Sequence, residues 1–123
     1  MENTKMLLKN YEFKRVLTKG KFYFGKYISM VVLSKNNKEV NYIGLAVNKK
    51  IGKAVKRNRI KRLIRENYKN IEKEMNKGYE IVFLCNKNIK VEEITYKKIK
   101  EDMLKLLKKS NLISYGDQIE KNN

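Results

Sequence analysis

The chain has 123 residues, with 30 Lys and Arg against 13 Asp and Glu, a net charge of +17, and no His, Pro or Trp. That length fits one domain with a single core, and 41% hydrophobic content with twelve Tyr and Phe side chains excludes a disordered polycation. So large an excess of positive charge points to a polyanionic partner, and no run of 18 apolar residues is present to span a membrane.

The opening MENTKMLLKNYEF lacks the apolar segment and small-residue cleavage site of a secretory signal, so a cytoplasmic setting is expected. Residues 10–18 (NYEFKRVLT) read as a helix, with Phe13, Val16 and Leu17 at three- and four-residue spacing and Gly20 as its stop. Residues 21–25 (KFYFG) suggest a short strand. YISMVVLS at 27–34 and VNYIGLAV at 40–47, joined by the polar KNNKE, read as an antiparallel hairpin. A helical pattern runs from about 53 to 76 and ends near Gly78. YEIVFLC at 79–85 reads as a central strand, and its one cysteine, Cys85, as an inert core thiol. A last helix spans 95–109, capped by Thr95 and burying Ile99, Met103, Leu106 and Leu107.

The expected fold is thus a single α+β domain, an α/β sandwich over residues 1–110, in the order α-β-β-β-α-β-α around a four-stranded mixed sheet packed by helices. The weakly acidic remainder, 111–123, reads as a flexible tail.

Charge is not spread evenly by type. Only five of the basic residues are Arg, and four of them, Arg57, Arg59, Arg62 and Arg65, fall within nine residues. Arginine offers a planar fork of donors that suits phosphate oxygens and stacks on bases, whereas lysine is a hydrated point charge. At about 100° per residue, Ile60, Leu63, Ile64, Ile71 and Met75 share one arc of the 53–76 helix. Arg57, Lys61, Arg65, Asn58 and Arg62 occupy the adjoining arc, while Glu66, Glu72 and Glu74 lie mostly off it. A solvated lysine-rich face is the plainer reading of such a helix; the clustering of the scarce residue favours an anion-binding ridge.

The stretch GLAVNKKIGKAVKRNRIKRLIRE (44–66), with its Arg-Asn-Arg core at 57–59, closely resembles the signature of the bacterial ribonuclease P protein subunit. NYEFKRVLTKGK (10–21) is similar to that family's opening helix, GYEIVFLCNK (78–87) to its last strand, and ITYKKIKEDMLKLLKK (94–109) to its closing helix. The resemblance implies a left-handed strand–helix–strand crossover, against the usual right-handed rule. It implies a small basic protein that binds a catalytic RNA and assists removal of the 5′ leader from precursor tRNA. The RNA carries out the hydrolysis with Mg²⁺, which is held mainly by the RNA. Ribonuclease P RNA and precursor tRNA are the implied partners, with one protein per RNA and neither DNA nor membrane.

By position, the resemblance assigns Lys53, Arg57, Asn58, Arg59, Lys61, Arg62 and Arg65 to the catalytic RNA, joined by Lys49 and Lys50 in the preceding turn. Gly52 is equally well an ordinary loop glycine. The leader cleft is assigned to Phe13, Leu17, Tyr27, Val31 and Lys87. Leu17 and Val31 stand where relatives often carry aromatics, so Tyr23, Phe24 or Tyr27 are candidates to compensate, and Phe13 is either platform or core. No catalytic residue and no metal site is expected in the protein, since the acids are scattered and Glu92-Glu93 and Glu101-Asp102 diverge on a helix. The rivals are a generic RNA-binding or ribosome-associated protein, a DNA-recognition helix, which lacks the preceding helix of a helix-turn-helix, and a free-standing nuclease.

Overall fold

The computed structural model describes residues 3–34 and 39–113. In chain order these form β1 (Thr4–Met6), α1 (Asn10–Lys19), β2 (Lys21–Tyr23), β3 (Ile28–Ser34), β4 (Asn41–Ala46), α2 (Ala54–Ile71), β5 (Tyr79–Cys85) and α3 (Tyr96–Lys109), with single 3₁₀ turns at 49–51, 72–74 and 91–93.

The sheet has five strands in the order β1-β4-β5-β3-β2, not the expected four. The addition is β1, three residues too short to show a period. It lies parallel to β4, with Thr4 opposite Asn41 and Met6 opposite Ile43. Side chains secure it: the Thr4 hydroxyl donates to the buried Glu72 carboxylate and lies 2.7 Å from the Tyr68 hydroxyl. Burial pushes the Tyr68 phenol above its ordinary pKa, so it stays protonated in this network.

The expected hairpin does not form either. β5 inserts between β3 and β4, antiparallel to the first (Met30 opposite Phe83) and parallel to the second (Ile43 opposite Ile81). The reason is burial. Ile81, Val82 and Phe83 are all fully buried, so this strand needs cover on both faces and a neighbour on both edges. Most of the polar link between β3 and β4, residues 35–38, lies outside the described residues.

Alternation splits the sheet into two faces. Ile28, Met30, Ile43, Leu45, Ile81 and Phe83 pack against α2 and α3 in the main core. Val31 and Val82 face α1 and join Leu7 and Val16 in a smaller cluster, flanked by Phe13, Tyr42, Ala46 and Leu84. The layers are therefore α1, sheet, and α2 with α3.

On α2 the buried stripe is Ile60, Leu63, Ile64, Asn67, Tyr68 and Ile71. The helix stops at Ile71, short of the expected 76. A 3₁₀ turn follows, and Met75 is extended, still buried, and bridged to Ile113. Leu112 and Ile113 are buried too, so packing continues past the expected boundary at 110; residues 114–123 of the expected tail lie outside the described residues. Helix α3 matches its expected span, with Thr95 Oγ1 accepting from the Lys98 amide. Cys85 is buried, and burial raises its thiol pKa.

Candidate nucleic-acid interface

Helix α2 turns its apolar stripe to the sheet, and its other faces carry the charge. Arg57 is half-buried; its Nη1 donates to the Gly52 carbonyl at 2.7 Å, folding the side chain back over the entering turn. Arg59 is exposed and donates to the Ile94 carbonyl at 3.0 Å. Arg62 has the Glu66 carboxylate at 3.8 Å, one turn on, with both side chains more than half exposed. Such a pair contributes little in water and leaves the guanidinium largely available. Arg65 makes no hydrogen bond or ion pair among the described residues.

Asn58, Arg59, Arg62 and Arg65 line one shallow groove with Val55, itself 81% exposed. Lys61 faces the other way. It lines a hollow at the carboxyl ends of β4 and β5 with Ala46, Asn48, Leu84 and Lys87. The expected strip is thus real but divided: Lys61 and Lys87 converge at the sheet end, and the outer arginines sit together on the solvent side.

The start of α2 adds to the positive field. Its first turn contains no acid, and Lys53 at the cap position makes no side-chain cap, so the helix dipole meets no carboxylate there. Lys49 and Lys50 are exposed in the preceding 3₁₀ turn, where Asn48 Oδ1 accepts from the Lys50 amide at 2.9 Å. The one nearby ion pair among the described residues is Lys56 with Glu92, 3.4 Å apart and exposed. Gly52 is extended and contributes the carbonyl that receives Arg57.

The expected cleft residues do not all meet. Phe13 and Leu17 are on α1; Leu17 is 44% exposed, and the Phe13 ring lies over Gly44, where a Cβ would stand 2.6 Å from Cε1. Val31 lies on the same face of the sheet but is 1% exposed and forms a floor, not a contact surface. Tyr27 lies apart from them. It sits in the bend just before β3, outside the strand's alternation, where Asp102 of α3 accepts from its amide, and its ring joins the main core on the opposite face with Lys98 Nζ 5.3 Å away. Lys87 is exposed at the sheet end. Its neighbour Asn86 is structural: its amide donates to the Gly25 and Lys26 carbonyls at 2.7 and 3.0 Å.

Arg15, the arginine outside the cluster, also has a structural partner. It pairs with Glu80, 2% exposed beneath α1, and this hydrogen-bonded ion pair raises the guanidinium pKa further. Sequence reading did not pair Phe22 with Phe24; the alternation in KFYF, with cations on either side, was the available signal.

Residues 1–111 match the model of the Ribonuclease P family. The chain belongs to that family. The ribonuclease P protein component of Natranaerobius thermophilus is 40% identical over 107 residues, covering 87% of this chain and 90% of the relative. That of Alkaliphilus metalliredigens is 39% identical over 93% of this chain and all of its own length. Among solved structures, the Staphylococcus aureus RNase P protein superposes with a TM-score of 0.78 at 26% identity, over 89% of this chain and 97% of that one. The RNase P protein from Thermotoga maritima gives 0.76 at 26% identity, over 85% and 96%. The fold and the length agree with those of the ribonuclease P protein, and the chain's role is that of the protein component in tRNA 5′ processing.

Proposed function

We propose that the chain binds ribonuclease P RNA through the outer face of α2 and the 5′ leader of precursor tRNA along the α1 side of the sheet. The single observation that carries this reading is the arginine groove. Asn58, Arg59, Arg62 and Arg65 share one exposed surface, and among the described residues the ridge arginines have a carboxylate within 4 Å only at Arg62. Guanidinium groups held that way displace condensed counterions from closely spaced phosphates, which makes binding steeply salt-dependent. Lys49, Lys50 and Lys53 extend the same field at the uncapped start of α2.

The protein's part is affinity and positioning. Mg²⁺ is assigned mainly to the RNA, as the family resemblance implies, and the residues of this chain bind and orient. Hydrolysis of the phosphodiester is the RNA's chemistry, with one protein acting per RNA. On the leader side, Phe13 and Leu17 offer apolar contact and Lys87 a cation. A strand and a 3₁₀ turn precede α2, which is not the arrangement of a DNA-reading helix-turn-helix.

The test is cleavage of precursor tRNA by a cognate ribonuclease P RNA at low Mg²⁺, with and without the protein. Stimulation is expected. Binding without stimulation reduces the chain to a generic RNA module, and cleavage by the protein without RNA overturns the non-catalytic role.

A further inference from the structure

Phe22 and Phe24 are 45% and 74% exposed, and their rings touch, with centroids 4.4 Å apart at 44°. Phe22 lies opposite Val31, whose side chain packs under α1, so the pair stands on the α1 side of the sheet at the free edge of β2. Large rings exposed to this degree are not core residues, and two in contact form a platform.

The charge around them is of one sign. From Phe13 to Lys38 the sequence contains no Asp or Glu, and within the described part of it stand Lys14, Arg15, Lys19, Lys21 and Lys26. Lys19, Lys21 and Lys26 are exposed. Two carboxylates on neighbouring elements are held internally: Glu80 by Arg15, and Asp102, which reaches Gly25, by the amides of Tyr27 and Ile28. What remains accessible is aromatic and cationic.

The backbone beneath the platform is fixed. Asn86 holds the carbonyls of Gly25 and Lys26, Ser29 Oγ accepts from the Gly25 amide at 3.3 Å, and Asp102 holds the amides of Tyr27 and Ile28. The loop that follows Phe24 is therefore ordered before any ligand arrives, which lowers the cost of binding.

We infer that Phe22 and Phe24 stack unpaired bases of the substrate RNA, taking the place of aromatic contacts that Val31 and Leu17 do not supply. Aromatic rings set among cations are the recurring device for single strands, since every base offers a π-face and the backbone follows the charge. The arginine ridge lies on the opposite layer of the molecule, so the strand on this platform is not the RNA docked there. It is the single-stranded 5′ flank of the precursor. The inference rests on the proposed engagement of precursor tRNA and adds the residues that grip it.

The experiment uses the protein assembled with its cognate RNA and compares precursor with mature tRNA. Phe22→Ala/Phe24→Ala is expected to weaken precursor binding about tenfold or more, leave mature tRNA and the RNA subunit unaffected, and be rescued by Phe22→Tyr/Phe24→Tyr. With the wild-type protein, 2-aminopurine placed along the leader should be quenched at one or two positions only. The inference fails if precursor affinity is unchanged, if both tRNAs lose equally, if affinity for the RNA subunit falls, or if the alanine variant instead dissolves a self-association of β2 edges. Wild-type protein that does not stimulate cleavage sinks the underlying reading; stimulation that the alanine variant shares in full, at equal affinity, sinks the platform alone.

Discussion

Gly44 is the residue on which the α1 face turns. It lies under the Phe13 ring, and a Cβ there would fall 2.6 and 2.7 Å from two ring carbons and 3.3 Å from Leu7. Gly44→Ala must therefore push the ring outward, at a cost of about 1–3 kcal/mol, read as a lower urea midpoint. At the start of the same helix, Glu12 accepts from the Lys9 and Leu8 amides at 2.9 and 3.2 Å. The Lys9 bond is the chief reason its carboxyl titrates below the usual range. A depressed carboxylate stabilises the fold above its unfolded pKa, and that contribution is lost as pH falls through the folded value. Glu12→Gln is accordingly less stable than the parent at neutral pH, and the two converge in strongly acidic solution, as pH-dependent melting will show. Some of this was legible in the sequence: Phe13 announced itself as platform or core. The side taken by Tyr27 was not legible, because it lies in the bend before β3, outside the strand's alternation, and is drawn to the α3 side by Asp102, which accepts from its amide.

At the scale of the elements, α2 combines two tasks on separate faces, and substitutions separate them. Arg65 makes no internal bond among the described residues, so Arg65→Ala tests phosphate binding alone. Removing one phosphate-binding cation lowers the slope of log affinity against log salt by about one unit. Arg57 and Arg59 are less clean probes, because each also satisfies a backbone carbonyl. Ile64 is fully buried on the opposite face. Ile64→Ala should cost about 2–5 kcal/mol in unfolding while leaving the salt slope unchanged, measured by denaturation and by titration at several salt concentrations. Periodicity exposed this division well, since Ile60, Leu63 and Ile64 repeat at helical spacing. It overran the helix end because Met75 continues the apolar stripe by position while its backbone has already become extended. It also missed β1, whose hold on the sheet comes from Thr4, Tyr68 and Glu72, partners 64 and 68 residues distant.

For the whole molecule, a net charge of +17 makes salt act in two directions. Screening relieves self-repulsion, so the free protein should melt at a higher temperature as ionic strength rises from about 0.01 M to 0.15 M, where the Debye length shortens from about 30 to 8 Å. RNA affinity should fall over the same range, by about 10⁵- to 10⁶-fold if six phosphates are engaged. Calorimetry and binding titrations in matched buffers check both signs together. Whole-molecule topology was the least legible level. The pair of apolar runs at 27–34 and 40–47 invited a hairpin, and only the burial of β5 on both faces explains why they are parted. That central position also governs when the sheet can close as the chain is made. While the ribosome releases the first 78 residues, β3 and β4 each lack the neighbour they will share, and translation at about 5–20 residues per second leaves those edges open for seconds. The nascent polypeptide cannot close its sheet until Cys85 has left the exit tunnel, so assembly with RNA waits on the emergence of β5.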